Sequence, residues 1–117
     1  MEDCIFCKIA HKDIPTKFLY ESERVVAFRD THPIAPVHVL VIPKRHIPSM
    51  NDVTKDNAEL LGELLLVVQS VAKDLDIAQS GYKTLIRTGK HGGQEVPHIH
   101  VHLIGGARLS ENIRPIA

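Results

Sequence analysis

His98-Ile99-His100-Val101-His102-Leu103-Ile104 sets three histidines in strict alternation with aliphatic residues. Successive side chains of a β-strand point to opposite faces, so the imidazoles share one face about 7 Å apart while Ile99, Val101 and Leu103 share the other. The aliphatic face can pack on a core. The histidine face is either the polar side of a half-exposed edge strand, drawn from a chain with eight histidines, or a working surface. Imidazole titrates near neutrality and serves as nucleophile, proton shuttle or metal ligand, so the second reading implies catalysis, metal binding or both.

The histidine strand is expected over residues 97–104, and residues 82–87 read as the strand before it. The glycine-bearing loop between them, 89–93, leaves no room for a crossover helix, which favours antiparallel pairing. Further upstream, apolar residues at 58, 60, 61, 64, 65, 67, 68, 71, 72 and 75 form a helical stripe over 54–75, with Thr54 as N-cap and Gly81 after its end. Residues 37–42 are rich in β-branched residues and stop at Pro43, placing His38 and Leu40 on one strand face and Val39 and Val41 on the other. Residues 17–21 and 24–29 make two further strands around a turn at Ser22-Glu23, and 30–36, with two prolines, a loop. Residues 4–10 suggest a short N-terminal helix. The fold class is therefore α+β: an antiparallel sheet of about five strands, one long helix and a short N-terminal one.

A chain of 117 residues suits one compact domain, 1–117, with a real core. Fourteen basic and fourteen acidic side chains cancel, leaving no field to gather polyanions, so nucleic acid is not expected as a partner. The opening Met1-Glu2-Asp3 is acidic and no apolar run approaches the ~18 residues of a membrane span, so neither export nor a membrane is expected. The expected compartment is the cytoplasm. There Cys4 and Cys7, a lone C-x2-C, read as a metal or redox pair sooner than a disulfide.

Gly92-Gly93-Gln94-Glu95 leads straight into the histidines, and glycine lets backbone N–H groups approach an anion closely. A plain turn is the alternative. A Walker loop is excluded, because it would need glycine at Thr84 and a hydroxyl residue at His91.

Taken together, these residues resemble the histidine-triad (HIT) family, and within it the Hint branch. The resemblance rests on Gly92-Gly93-Gln94-Glu95-Val96, His98-x-His100-x-His102, Asp30, the run from Ala35 through Pro36, Val37 and His38 to Pro43-Lys44, and Ile5-Phe6-x-Lys8-Ile9. It covers nearly the whole chain. It implies a HIT-like fold, a homodimer whose sheets join, and hydrolysis or transfer at the α-phosphate of nucleotides. His100 would be the nucleophile, forming a nucleotidyl-histidine intermediate. His102 would contact the phosphate and leaving group, with His38 completing the cluster and Asp30 accepting the ribose hydroxyls. Phe6, Ile9 and Phe28 would wall the base pocket, and Gly93, Gln94, Glu95 and Val96 would lie along the phosphate. Two positions depart from the branch: Arg87 replaces a usual asparagine near the phosphates, and Thr31 a usual isoleucine beside the base. Transferase branches of the family carry glutamine at the third triad position, so His102 implies water as acceptor.

The resemblance also completes the cysteine pair. Bacterial members opening with C-x2-C hold structural zinc through a histidine after the Pro-Lys segment and the first triad histidine, here His46 and His98. Four Cys and His ligands suit a closed structural site. His11, His32 and His91 are left without partners. The resulting expectation is a nucleotide hydrolase acting on the P–N bond of purine nucleoside 5′-phosphoramidates. Alternatives are a dinucleoside polyphosphate hydrolase using the same His100, or a zinc-stabilised nucleotide-binding module without turnover.

Overall fold

The computed structural model describes residues 3–116; Met1 and Glu2 of the acidic opening, and Ala117, lie outside them. The order of elements is α1 (Ile5–Ala10), β1 (Phe18–Glu21), β2 (Val25–Arg29), β3 (Val37–Pro43), α2 (Ala58–Asp74), β4 (Tyr82–Leu85) and β5 (Val101–Gly105), with two short 3-10 turns before α2. The five strands form one sheet in the order β1-β2-β3-β5-β4, every neighbouring pair antiparallel.

Alternation within the strands separates two apolar layers. Val25, Ala27, Val39, Val41, Val101 and Leu103 face α2, which buries Leu60, Leu64, Val67, Val68, Val71 and Ala72 against them. The opposite face carries Val26, Phe28, Leu40 and Ile42, covered by Phe6, Ile9 and Ala10 of α1. Short as it is, α1 is held at both ends: Cys7 N–H donates to Cys4 Sγ at 3.3 Å, and His11 N–H donates to the Cys7 carbonyl. The turn at Ser22 docks on α2 through Arg24, whose guanidinium lies 2.7 Å from Glu63.

Several boundaries differ from the sequence expectation. Thr54 caps a 3-10 turn at Lys55–Asn57 through its backbone bond with the Asn57 side chain, and the α-helix proper starts at Ala58. The helix ends at Asp74 without using Gly81. Asp76 instead takes the left-handed conformation, at φ 59°, and Ile77 N–H reaches back to the Ala72 carbonyl at 3.0 Å. Aspartate tolerates that conformation better than most residues, and the reversal drops Ile77 into the core.

The histidine segment also differs. β5 begins only at Val101, so His98 and His100 precede the strand. Register explains why: Val41 faces Val101, and two residues further Pro43 has no N–H with which to continue the ladder. On the other edge of β5, β4 stops at Leu85, opposite His102, short of Arg87. The alternation nevertheless survives, because Ile99 donates its N–H to the Ile47 carbonyl at 2.7 Å and packs in the α2-side core.

Candidate active site

β5 is an interior strand, and His98, His100 and His102 are 0%, 6% and 7% exposed. The half-exposed edge strand is thereby ruled out. Buried polar atoms need partners, and following them through this cluster assigns the protons.

Ile34 N–H donates to His38 Nδ1 at 3.2 Å, so the proton of neutral His38 sits on Nε2. That Nε2 lies 2.9 Å from His102 Nδ1 and 3.4 Å from an Asp30 carboxylate oxygen. His102 Nδ1 is therefore the acceptor, and its own proton sits on Nε2. Among the described residues, His102 Nε2 is the buried side-chain polar atom left without a partner. It is a donor awaiting an acceptor. Register makes the contact possible: Leu40 faces His102 and His38 faces Ile104, so the two histidines are diagonal neighbours on one face.

His100 is oriented the opposite way. Its Nδ1 lies 2.7 Å from the His98 carbonyl, which cannot donate, so Nδ1 carries the proton and Nε2 keeps a free lone pair. The edge of Phe6 packs against the ring at a centroid distance of 5.1 Å. Burial first, and the positive field of neighbouring residues with it, keeps His38, His100 and His102 below the usual imidazole range, His102 at about 4. The cluster is thus neutral near pH 7, as a nucleophilic nitrogen requires.

Asp30 sits where the chain turns from β2 towards β3, fixed by its N–H to the His38 carbonyl at 2.9 Å. One carboxylate oxygen accepts the His32 N–H at 2.8 Å, and a carboxylate has lone pairs to spare for further donors. Thr31 is exposed, its hydroxyl against His32. Phe6, Ile9 and Phe28 are buried together in the α1-side core, which gives them a packing role whatever else they line. Glu95 is exposed, whereas Val96 packs against that core.

The glycine turn is built for close approach. A Cβ on Gly92 would lie 2.3 Å from the Thr88 carbonyl oxygen, and Gly93 adopts φ 79°, so neither position accepts a side chain without strain. Gln94, expected along the phosphate, has its amide committed elsewhere. It accepts from Gly89 N–H and donates to the carbonyls of Pro48 and Val96, clamping the turn. A glutamine reads the same in sequence whether it clamps or binds. That the non-attacking nitrogen of His100 donates to a neighbouring carbonyl is expected from its chemistry and is observed, but which backbone groups fix the tautomers, those of Ile34, Pro43 and His98, left no sequence signal.

Cys4, Cys7, His46 and His98 bring one ligand atom each within 4.8 Å of one another and could hold a metal ion. His98 Nε2 lies 2.8 Å from the Pro43 carbonyl and so carries the proton, leaving Nδ1 as lone pair, 3.3 Å from Cys4 Sγ and 3.5 Å from Cys7 Sγ. His46 Nδ1 lies 3.2 Å from Cys7 Sγ. Tetrahedral zinc needs S···N edges of roughly 3.5 Å, so the donor set fits the ion in both chemistry and spacing. The carbonyl behind His98 is the outer partner such ligands ordinarily have. A depression of about 920 Å³, lined by Cys7, Lys8, His11, Lys44, Arg45 and His46, leads from solvent to the cluster. His32 and His91 are exposed. No helix among the described residues is long and apolar enough to cross a membrane.

Comparison with known proteins agrees with this geometry. Residues 11–109 match the HIT domain family model. The chain is similar to the purine nucleoside phosphoramidase of Escherichia coli (strain K12), with 44% identity over 108 residues, 92% of this chain and 91% of that protein. It is also similar to the protein HitA of Neisseria gonorrhoeae, with 48% identity over 105 residues, 90% of this chain and 97% of that one. A HIT family hydrolase from Legionella pneumophila Philadelphia 1 superposes with a TM-score of 0.92 at 42% identity, covering 94% of this chain and 98% of that one. With nearly its whole length matched in sequence and in fold, the chain belongs to the HIT domain family, as a hydrolase of the Hint-like branch.

Proposed function

We propose that the protein hydrolyses the P–N bond of purine nucleoside 5′-phosphoramidates in two displacements. The observation that carries this reading is the pinned tautomer of His100: with Nδ1–H held by the His98 carbonyl, Nε2 is the free nucleophile. In the first step Nε2 forms a bond to the α-phosphorus and the P–N bond breaks; its electron pair leaves on nitrogen, which takes a proton from solvent while His102 Nε2–H donates a hydrogen bond at the reacting group. In the second, water attacks phosphorus, the P–Nε2 bond breaks, and the attacking water gives up a proton to solvent, returning His100 to its neutral form. Phosphoryl chemistry of this kind rests on positioning and charge stabilisation, which the His38–His102 bond and the Gly92-Gly93 turn support. Asp30 holds the ribose hydroxyls, and Phe6, Ile9, Phe28 and Thr31 border the purine. The likeness to the Escherichia coli phosphoramidase supports the choice of P–N bond.

In the same reading Cys4, Cys7, His46 and His98 hold one structural zinc ion. The ion ties α1 to the segment carrying His100 and takes no part at phosphorus. The protein works as a cytoplasmic homodimer of single-domain subunits. β4 is a free sheet edge, and Leu65 and Leu66 of α2 are 53% and 65% exposed, which supplies an edge and an apolar face for a second copy.

Incubation with adenosine 5′-phosphoramidate tests the mechanism. We expect a labelled nucleotidyl-histidine on acid-free quenching, and none, with no turnover, from a folded His100→Ala protein. Turnover by that variant at the rate of the unaltered protein refutes the reading.

A further inference from the structure

Arg87 is the residue to which the proposed mechanism gives no role: the histidines and the glycine turn already meet the α-phosphoryl group, yet a full positive charge stands beside them. Its place follows from the sheet. Leu85 faces His102 across β4 and β5, and continuing that register by two residues sets Arg87 level with His100 on the histidine face. The side chain then runs along the glycine turn, Cδ and Nη1 lying 3.8 and 3.9 Å from where a Gly93 Cβ would be.

Arg87 is half-buried, and among the described residues its guanidinium makes no hydrogen bond or ion pair. Five planar donors partly withdrawn from water and left unpaired are costly unless an anion occupies them for part of the cycle. The charge is also felt by the cluster, where it disfavours protonation of His38 and His102. Strand order separates it from the other charge of the site. Asp30 follows β2, on the β3 side of β5, whereas Arg87 follows β4, on the far side. With Asp30 holding the sugar, Arg87 lies on the far side of the histidines from it, within reach of the phosphoryl position and of what departs from it.

We propose that Arg87 is a specificity-determining residue that selects leaving amines bearing an anionic oxygen group, a carboxylate or a phosphate, over uncharged amines. The proposal rests on the phosphoramidase reading and narrows its substrate class. A planar guanidinium pairs bidentately with either group, and one charge-assisted pair in a partly desolvated site corresponds to about tenfold or more in discrimination.

The test uses four adenosine 5′-phosphoramidates in matched pairs: N-linked glycine against glycinamide, and N-linked phosphoethanolamine against ethanolamine. Each pair differs only in the anion, and the two pairs separate carboxylate from phosphate as its source. The unaltered protein is expected to favour the anionic member of at least one pair by about tenfold in kcat/KM. Arg87→Asn should collapse that ratio towards one, and Arg87→Lys should keep part of it, since charge remains without the fork. A ratio near one in the unaltered protein overturns the proposal. So does a ratio that survives Arg87→Asn while both members slow equally, because Arg87 would then serve the α-phosphoryl group itself. Equilibrium binding of the same compounds to His100→Ala protein, with and without Arg87→Asn, separates the two readings. If none is cleaved but the anionic members bind more tightly through Arg87, the phosphoramidase reading fails while anion selection by Arg87 survives as a binding preference; equal binding overturns the selection itself.

Discussion

Replacing His102 with glutamine should flatten the acid side of the protein's stability profile. His102 is buried, and that burial, followed by the charges of His100, His38 and Arg87, pushes its pKa from the ordinary 6.5 to about 4, with Asp30 pulling the other way. Between those values the unfolded chain binds more protons than the folded one. Stability therefore rises with pH across the window and is lost as pH falls from 6.5 towards 4. For one group with those two pKa values the full effect is about 3 kcal/mol, of which about 2 is lost between pH 7 and pH 5. In a chain of this size that corresponds to roughly 8 °C in Tm. The assay is urea unfolding at pH 7, 6 and 5 with protein and zinc concentrations held constant. Protonation of the cysteine and histidine ligands is common to both proteins, so the difference between them reports His102 together with its coupling to His38 and His100. The unaltered protein should lose about 2 kcal/mol more than His102→Gln between pH 7 and pH 5. Parallel profiles would refute the neutral, proton-poor cluster deduced from the hydrogen bonds.

Asp30→Ala should weaken binding of nucleoside monophosphates more than that of their 2′,3′-dideoxy analogues, measured calorimetrically; equal losses would remove Asp30 from the sugar. Cys4→Ser with Cys7→Ser should lower both bound zinc and the melting temperature while hydrolysis stays measurable, because an ion held there would stabilise the folded state without reaching phosphorus. Metal analysis of protein purified without chelator that finds no zinc contradicts the site. Light scattering in dilute solution should give about 26 kDa, twice the 13.0 kDa chain, and a monomer at that concentration would contradict the sheet-edge contact.

Much of this protein is legible in short-range patterns, for a physical reason: periodicity is local. The stripe from Leu60 to Ala72 marks the helix, and the alternation from Ile99 to Leu103 assigns the aliphatic and imidazole faces whether or not each residue belongs to a ladder. The separated segments resembling the HIT family pointed to Asp30, His38, His100 and His102 as one candidate site, and to Cys4, Cys7, His46 and His98 as another. What the sequence could not determine depends on groups that every residue possesses. Whether the histidine strand starts at Pro97 or Val101 turns on Pro43 meeting position 99 across the sheet. Whether the chain reverses after the helix at Asp76 or only at Gly81 turns on where Ile77 can be buried. The proton on each imidazole is set by a backbone group, Ile34 N–H for His38 and the carbonyls of Pro43 and His98 for His98 and His100. Backbone amides look alike in any sequence; only tertiary structure decides which of them faces an imidazole, and so which nitrogen is left to react.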